Sequence, residues 1–571
     1  MNTGCDVAII GGGPSGSTAG ALLKKYRPDL HVRIFEREVF PRDHIGESLL
    51  PPISGILDEM GCWDKVEAAN FPIKIGATFR WGRRPELWDF EFYPSNEFVD
   101  ERRPAPFLGQ RKMTAFQVDR SIYDTILLNH AQELGCDVSQ GTQVVQVLAN
   151  ADRIEGLHLS SGEIVEARHY IDASGNSGIL RRALEIPCDY PSTLKNIAIY
   201  DYWQNADWAV EIGVGGTRIQ VMSVGYGWLW FIPLGPTRTS LGLVVPADYY
   251  KQSGKSPAEL YEQAIFEEPM IRGLLRNARN EGKLQTTRDW SFLAERQAGS
   301  NWFLIGECAG FADPILSAGV TMAHIAARQA AYTILELERG KLNGTWLRDE
   351  FQRRQAQRIR THIRFGDYWY TANEQFTDLK GFTQTLAEDC GLDMSPDKSW
   401  AWLARGGFID EDLSVGVGGY SLSSIKAMSE MLGELDSKSP FATFNVFKLD
   451  LSGASWKDRA SYVEGRVKKT PCYVRGDRAL PIEYHIEGIV TVLERYSDIS
   501  EIVEQFRNAL SALFDDARKV DELFYSGMAI VEAMVSDGWI QCRFEPTRPL
   551  WTPEPWSDRV LKWNSDQAVS P

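Results

Sequence analysis

Residues 5–26 read CDVAIIGGGPSGSTAGALLKKY, and this stretch decides the fold. An apolar run of strand length meets Gly11, Gly13 and Gly16 in the spacing GxGxxG, and a small-residue segment compatible with a helix follows. Gly11 permits the turn, Gly13 lets the backbone approach a bound group, and Gly16 allows close packing of helix on strand. The N–H groups at the start of such a helix favour a phosphate. The stretch therefore predicts a dinucleotide-binding βαβ unit.

A second strand at the expected distance supports this prediction. It reads HVRIFER, residues 31–37, and it ends in Glu36 followed by Arg37. A glutamate at this point accepts hydrogen bonds from both hydroxyls of a ribose. An ordinary Gly-rich turn between strand and helix remains the alternative.

Composition bounds the size and the partners of the protein. With 571 residues, 43% of them apolar, we expect two or three domains. The formal charge of −16 argues against nucleic acid or an anionic membrane as the main partner. Eight scattered cysteines without a CxxC pair or a histidine cluster predict neither disulfides nor a metal site. No signal-like segment and no apolar run of about 20 residues is evident, so a cytoplasmic location is expected.

Three later segments carry further markers in a fixed order. Residues 117–138 predict an amphipathic helix opened by Gln117 and Arg120. Residues 170–184, YIDASGNSGILRRAL, predict a strand end that runs into a second close approach of backbone and ligand. Residues 301–331 predict a strand, a turn, an irregular loop and a long Ala-rich helix.

In this order, the segments resemble the FAD-dependent monooxygenase superfamily of the hydroxybenzoate-hydroxylase and glutathione-reductase type, over residues 5 to about 335. The resemblance implies an α/β core over residues 1–340, with a Rossmann-like FAD-binding domain and an inserted substrate-side β-sheet in segments of about 75–110 and 190–295. Residues 341–571 are expected to form a mainly helical C-terminal domain. The implied cofactor-binding residues are Gly11, Gly13, Ser15, Gly16, Glu36, Arg37, Gln117, Arg120, Asp172, Gly175, Glu307, Asp313 and Pro314.

The stretch GYGWLWFIPLG, residues 225–235, predicts a strand with Trp228 and Trp230 on one face and Leu229 and Phe231 on the other. WLWFIP resembles the WxWxIP signature of flavin-dependent halogenases. Residues 40–61, FPRDHIGESLLPPISGILDEMG, and 313–319, DPILSAG, resemble the halogenase branch that includes the chloramphenicol-pathway and carrier-protein-dependent enzymes.

The halogenase resemblance implies a two-component enzyme. GVGG at 213–216 and at 416–419 lacks the full spacing of a nicotinamide-binding motif, so no nicotinamide site is predicted. A separate flavin reductase, which would bind only transiently, is therefore expected to supply FADH2. Reduced flavin, oxygen and chloride or bromide then yield hypohalous acid. Lys74, in NFPIKIGATFRWG, lies where the family keeps its active-site lysine, which delivers the oxidant. A lysine on a solvated strand edge is the alternative.

Three other groups complete the implied site. Backbone N–H groups of Ser317, Ala318 and Gly319 are expected to hold the halide, with Gly319 at a positive φ, and Ser317 also suits a helix cap. Glu47 is a candidate for proton transfer or loop closure, or else a first-turn glutamate favoured by the helix dipole. The two tryptophans would separate flavin from substrate, unless they are only core.

Leu316 stands where tryptophan halogenases carry a glutamate, so free tryptophan is not the expected substrate. We expect an electron-rich aromatic or an enolisable acyl group, free or carrier-bound, in specialised metabolism such as antibiotic biosynthesis. Two alternatives remain open: a flavin-dependent hydroxylase, in which Lys74 is incidental, and an inactive flavin-binding docking partner.

The C-terminal part is the least explained. Residues 346–376 predict a helix rich in arginine, and Arg354 and Arg358 lie one turn apart. This helix is either a docking face for an acidic carrier protein or an ordinary solvated helix. From about residue 475, three helices and a hairpin predict a winged-helix-like unit that caps the active site rather than binds DNA.

Overall fold

The computed structural model describes residues 4–81, 87–192, 194–213, 215–371, 439–476, 478–482, 484–536, 538–552 and 561–563. The second GVGG, at 416–419, lies outside them. The described residues divide into two compact units. The first contains those up to Trp369, Tyr462–Val467 and those from Lys562 onward; the second contains those within Tyr370–Ser461 and Lys468–Leu561.

The strands, in chain order, are β1 Cys5–Ile10, β2 Val32–Phe35, β3 Ile73–Arg80, β4 Trp88–Glu91, β5 Ala115–Phe116, β6 Asp137–Ser139, β7 Val144–Asn150, β8 Arg153–Leu159, β9 Ile164–Val165, β10 Ala167–Asp172, β11 Cys188–Asp189, β12 Lys195–Gln204, β13 Gly216–Val224, β14 Gly227–Pro233, β15 Arg238–Pro246, β16 Arg279–Asn280, β17 Gln285–Trp290, β18 Phe292–Ala294, β19 Trp302–Leu304, β20 Gly310–Phe311, β21 Val446–Leu449, β22 Ser455–Val463, β23 Arg466–Arg475, β24 Arg478–Pro481, β25 Ile540–Arg543 and β26 Leu561–Trp563. The helices are α1 Pro14–Tyr26, α2 Pro51–Met60, α3 Trp63–Ala68, α4 Arg120–Glu133, α5 Ile179–Ala183, α6 Ala247–Ser253, α7 Pro257–Glu267, α8 Pro269–Leu274, α9 Gly319–Arg339, α10 Gly344–Thr371, α11 Pro440–Thr443, α12 Tyr484–Arg495, α13 Ile499–Leu513 and α14 Ala517–Ser536. Short 3₁₀ segments span Gly109–Lys112, Gly175–Ser177, Gly306–Cys308 and Pro314–Leu316.

The first unit contains a parallel five-stranded sheet in the order β19-β10-β1-β2-β6. All residues of β2 are buried, Arg33 included, as are five of the six in β1, and burial on both faces explains why most residues of the two strands are apolar. The sequence-predicted fold class, a Rossmann-like α/β core with an inserted sheet, is confirmed.

One buried histidine connects three helices of this core. His324 of α9 shares hydrogen bonds with Thr18 of α1, at 2.8 Å, and with Tyr123 of α4, at 2.9 Å. Burial lowers the pKa of His324 to about 3. It is therefore a neutral structural residue that holds the helices around the cofactor segment together.

The inserted sheet has the strand order β16-β12-β15-β14-β13-β3-β4-β26, with β17 beside β12 and β5 beside β3. Its two faces differ. Leu229 and Phe231 of β14 pack in a hydrophobic cluster with Leu260 and Tyr261 of α7. Trp228 and Trp230 take no part in that cluster and lie on the opposite face, as the alternation in the sequence predicts.

The arginine-rich helix α10 is not a docking face at its central arginines. Arg354 and Arg358 have relative exposures of only 5% and 3%. Arg354 lies over the ring of Tyr462 at 5.5 Å, and Arg358 donates to Gln329 of α9 at 3.0 Å. Both sequence-based interpretations, carrier face and solvated face, are wrong for these two residues, because the helix packs between other elements instead of covering the surface.

The second unit contains the three predicted helices, α12 to α14, around one apolar core that includes Ile489, Phe506 and Val531. The strand after them, β25, pairs antiparallel with β21, which precedes them in the chain. The hairpin expected after the third helix is therefore not what β25 forms. A further three-stranded sheet among the described residues, β22-β23-β24, was not predicted from the sequence.

Among the described residues, none of the helices has both the length and the apolar character needed to cross a membrane.

Candidate active site

The turn after β1 has the geometry that its glycines predict. Gly11 has φ of +101°, and a Cβ at this position would lie 2.4 Å from the Ala173 carbonyl oxygen. A Cβ on Gly16 would lie 1.9 Å from the Gly11 oxygen. Ser15 is buried in the first turn of α1, where its Oγ would be 2.5 Å from a Cβ on Gly306. Larger residues at these points would separate the strands and helices that shape the turn.

Glu36 is buried at the end of β2, and its carboxylate orders the same turn. Oε2 accepts the N–H of Gly12 at 2.7 Å, and Oε1 accepts the N–H of Glu38 at 2.9 Å. Each oxygen keeps a second lone pair for a ribose hydroxyl. Arg37 is exposed and pairs with Glu38 at 3.4 Å.

Gln117 has the clearest unmet hydrogen-bonding capacity here. It is fully buried, and neither its amide nitrogen nor its amide oxygen has a partner among the described residues. It precedes α4 rather than opening it, because Asp119 caps the helix by accepting the N–H of Ser121. Arg120 is also buried, and it binds Asp124 through two hydrogen bonds of 2.7 and 2.9 Å.

Arg42 is a candidate that the sequence analysis missed, although it belongs to the quoted FPRDHIGES stretch. Its Nη2 lies 3.4 Å from the position of a Cβ on Gly13, at the N-terminus of α1. Its guanidinium stacks on Phe40 at 4.7 Å. A cation at this place suits a pyrophosphate.

Asp172 orders the second glycine-containing loop. One carboxylate oxygen accepts the Ser174 hydroxyl at 2.6 Å and the Cys308 thiol at 3.1 Å, and the other accepts the N–H of Leu180 at 2.7 Å. Gly175 has φ of +62°. The carboxylate therefore joins the loop after β10 to the Gly306–Cys308 segment.

Glu307 and Asp313 belong to the last predicted cofactor segment. Burial raises the pKa of Glu307, while the Arg120 guanidinium opposes this shift. Asp313 accepts the N–H of Ile315 at 2.9 Å and so caps the short helix that Pro314 opens. These contacts fix the loop that precedes α9.

In the predicted anion nest at residues 317–319, the residue with a positive φ is not the one expected from the sequence. Ser317, not Gly319, is in the left-handed region, with φ of +54°, and its N–H donates to the Pro314 oxygen at 2.9 Å. Ala318, the N-cap of α9, is helical at φ −86°, and Ser317 does not cap the helix with its side chain. A left-handed residue followed by a right-handed one forms a nest, so the N–H groups of Ala318 and Gly319 converge at the start of α9.

The position of Lys74 depends on a break in strand pairing. Lys74 of β3 lies opposite Thr217 of β13, but Gly76 lies opposite Arg218, so Ile75 is one residue extra. A bulge of this kind changes which face a side chain takes.

Because of that extra residue, Lys74 shares a face with the tryptophans. Its register partner Thr217 is four residues from Val221, which lies opposite Trp230. The Lys74 ammonium nitrogen also lies 5.4 Å from the centroid of the Phe92 ring. Without the extra residue, the regular alternation of side chains along β3 would place Lys74 on the same face as Gly76, away from the tryptophans.

Lys74 is 1% exposed, and its Nζ has no hydrogen-bond partner among the described residues. Burial lowers its pKa from 10.5 to about 7. Near neutral pH, the free amine and the ammonium of Lys74 are therefore both populated.

The two indoles form a continuous aromatic wall. Trp228 and Trp230 are 6.0 Å apart, and Trp230 is 6.1 Å from Tyr200 of β12. Gly242 lies beneath Trp230, since a Cβ there would be 2.1 Å from the indole. The absence of a side chain at Gly242 therefore leaves the space that the Trp230 indole occupies.

Glu47 is fully buried against the wall. It accepts the hydroxyl of Tyr202 at 2.8 Å, and burial raises its pKa to about 7 against the effects of Tyr202 and Arg120. Tyr202 itself lies 3.8 Å beneath the Arg238 guanidinium. Tyr202 was not anticipated from the sequence, where only its place in an aromatic-rich strand was visible.

The Gly46–Glu47 turn lies between the tryptophan wall and the start of α9. A Cβ on Gly46 would lie 3.2 Å from Arg120 Nη1 and 3.5 Å from Val320 at the start of α9. The turn therefore brings the wall-facing Glu47 close to the nest. With the orphaned amide of Gln117 and the glycine turn of α1, these residues fit FAD: Glu36 would hold its ribose and the α1 N-terminus its pyrophosphate.

The chain is similar in sequence to known halogenases. A sequence model described as tryptophan halogenase matches residues 6–101 and 96–379. The tryptophan 2-halogenase of Chondromyces crocatus is 31% identical over 355 residues, which are 61% of this chain and 64% of that protein. The 1H-pyrrole-2-carbonyl-[peptidyl-carrier protein] chlorinase of Pseudomonas fluorescens is 32% identical over 345 residues, 58% of this chain and 76% of that protein.

Solved structures agree over a longer part of the chain. CmlS, a flavin-dependent halogenase, superposes with a TM-score of 0.72 over 98% of this chain and 100% of its own; at 24% identity it supports the fold alone. The myxobacterial chondrochloren halogenase CndH gives a TM-score of 0.59 at 27% identity, over 75% of this chain and 96% of its own. Since the family model matches more than half of its residues, the chain belongs to the tryptophan halogenase family of FAD-dependent oxidoreductases.

Proposed function

We propose that the protein halogenates an electron-rich aromatic or an enolisable acyl group, using reduced FAD, oxygen and chloride or bromide. The observation that carries the proposal is Lys74: a buried amine without a partner among the described residues, on the same sheet face as an aromatic wall. When bound, reduced FAD supplies the two electrons with which oxygen and halide are converted to hypohalous acid and water.

Lys74 is the group that receives the oxidant. Its ammonium form hydrogen-bonds hypohalous acid, and its amine form attacks the halogen to give a haloamine, releasing water. Because Nζ is held away from solvent, the oxidant is not lost to bulk water. Delivery from a fixed nitrogen also restricts which carbon of the substrate is reached.

The aromatic wall supports halogenation over hydroxylation. Trp228 and Trp230 are buried, and the packing of Trp230 on Gly242 prevents it from moving toward its own sheet. A fixed indole pair keeps an organic substrate from direct contact with reduced flavin and oxygen. The N–H groups of Ala318 and Gly319 are the candidate halide site, and Glu47 is the candidate proton carrier beside it.

The names of two relatives support the substrate class. One is a halogenase of tryptophan and the other a chlorinase of a pyrrole carried on a peptidyl carrier protein, and indole and pyrrole are both electron-rich rings. We infer that either a free or a carrier-bound ring is used, and tryptophan belongs among the compounds to be tested despite Leu316. A separate flavin reductase is the proposed source of FADH2.

The direct test combines the purified protein with FAD, a flavin reductase, NADH, oxygen and bromide, and a readily halogenated phenol as trap. We expect a brominated product, identified by its isotope pattern, that requires both bromide and the protein. Lys74→Ala should abolish it. Lys251→Ala, which changes a lysine side chain that is 75% exposed, is the matched control and should leave it unchanged.

Each other result has a defined meaning. An oxygenated phenol would identify the hydroxylase instead. Oxygen uptake without either product, repeated with indole, with tryptophan and with pyrrole bound to a carrier protein, would refute halogenation of electron-rich rings. FAD binding without oxygen uptake beyond that of the reductase alone would identify the non-catalytic docking partner.

A further inference from the structure

The indole N–H of Trp230 is bound by a side chain that can itself change partners. Trp230 Nε1 donates to Ser240 Oγ at 3.1 Å. The Ser240 hydroxyl lies within hydrogen-bonding reach of the Glu47 carboxyl, which also accepts the Tyr202 hydroxyl at 2.8 Å. All four side chains are buried. Ser240 therefore lies between the Trp230 indole of the aromatic wall and the Glu47 carboxyl beside the start of α9.

The direction of these hydrogen bonds depends on the charge of Glu47. A serine hydroxyl has one proton to donate and two lone pairs to accept with. When Glu47 is ionised, Ser240 donates to the carboxylate and accepts the indole N–H, so every bond points toward the charge and polarises the next. When Glu47 is protonated, its own proton competes with the indole for the Ser240 oxygen, and the hydroxyl proton loses its acceptor.

We propose that Ser240 is a positioning residue that couples the Trp230 indole to the ionisation of Glu47, so that proton uptake at Glu47 changes how firmly the aromatic wall is held. The consequence for catalysis rests on the proposed function: the wall would be tightest while Glu47 is ionised and would loosen when it takes up a proton. The coupling itself is a property of three side chains and does not require turnover.

The groups around Glu47 leave it as the titrating member near neutral pH. Arg120 and Arg238 face it as permanent cations, and both lower its pKa against the larger effect of burial, which raises it to about 7. Burial raises the pKa of Tyr200 to about 12 and that of Tyr202 well above its usual range, so neither phenol ionises. Lys74, whose pKa burial also lowers to about 7, lies on the same sheet face, so the Glu47→Gln variant is needed to separate a change at Glu47 from one at Lys74.

The test is fluorine NMR of the full-length protein labelled with 5-fluorotryptophan, titrated from pH 5.5 to 8.5. Trp230→Phe identifies the Trp230 resonance. We expect that resonance to shift with a midpoint near the value of about 7 given for Glu47. Glu47→Gln and Ser240→Ala should each make it independent of pH, and Ser240→Thr, which keeps the hydroxyl, should restore the titration.

An internal control guards against misfolding of the variants. The indole of Trp302 donates to the backbone carbonyl of Asp152 at 3.0 Å, so its resonance should stay fixed in every variant that folds. A Trp230 resonance that does not titrate in the wild type would overturn the proposal. So would an unchanged titration in Ser240→Ala, because the coupling would then bypass the hydroxyl. Neither result depends on whether the protein halogenates the phenol.

Discussion

Replacing Lys74 by Met should make the protein more stable, although it removes the residue that we propose to carry the oxidant. The folded protein holds an amine that is 1% exposed and has no hydrogen-bond partner among the described residues. Met has a similar length and no charge to desolvate, so it fits the site without the cost that Lys74 carries.

The size of the effect follows from the shift in pKa. Burial lowers the pKa of Lys74 from 10.5 to about 7. Each pKa unit corresponds to about 1.4 kcal/mol. The shifted pKa of Lys74 therefore lowers the unfolding free energy by up to about 4 kcal/mol at pH 7 and by about 2 kcal/mol at pH 9. The unfolded chain binds more protons than the folded one between these values, so wild-type stability rises with pH in this window.

The assay is urea unfolding of wild type and Lys74→Met at pH 7 and pH 9, following the transition of the unit that contains Lys74. The difference between the two proteins at one pH removes the contributions of other titrating groups. We expect the advantage of the variant to fall by about half from pH 7 to pH 9. Lys251→Met, at a side chain that is 75% exposed, should show little difference at either pH.

A variant less stable than wild type at pH 7 would refute the reasoning, since it would mean that the Lys74 ammonium makes favourable contacts in the folded state. An advantage that is the same at both pH values would do so as well, because the amine would then not titrate in this range.

Three other substitutions test separate parts of the structure. Arg354→Glu should lower the unfolding free energy by about 3 kcal/mol or more, because it buries an unpaired negative charge. Arg360→Glu, on the exposed side of α10, should change the unfolding free energy little. Equal effects of the two substitutions in urea unfolding would mean that Arg354 is on the surface. Gln117→Leu should weaken FAD binding about tenfold in a fluorescence titration and stabilise the FAD-free protein, whereas unchanged affinity would exclude the amide from the cofactor site. Gly242→Ala should displace the Trp230 indole and lower stability by about 1–3 kcal/mol, and a variant as stable as wild type, with an unshifted Trp230 fluorine resonance, would contradict the close packing.

The geometry of the glycine turn and of Glu36 could be predicted from the sequence because its signals are local. The glycine turn ends in a helix N-terminus, and Glu36 follows at the end of the next strand, so a few consecutive residues define the geometry. The alternation of Trp228 and Trp230 is equally local, and the structure confirms the side of the sheet on which they lie.

What the sequence could not supply depends on contacts between distant segments. The burial of Arg354 is decided by Tyr462, more than a hundred residues later, and no helical pattern reveals it. The link from Glu47 to Tyr202 likewise joins residues 155 positions apart. The positive φ at Ser317 was assigned to Gly319 because glycine is the residue that usually adopts it, but the Asp313 cap fixes the turn two residues earlier.

The extra residue at Ile75 has a consequence for comparing relatives. One inserted residue, rather than the chemistry of any side chain, decides that Lys74 shares the face of the tryptophan wall. In a homologue without the insertion, a lysine aligned with Lys74 would point away from the wall, and an equivalent amine would have to stand one position earlier or later. Transplanting this lysine into another scaffold, or tracing its ancestry through an alignment, therefore requires counting backbone residues as well as matching identities.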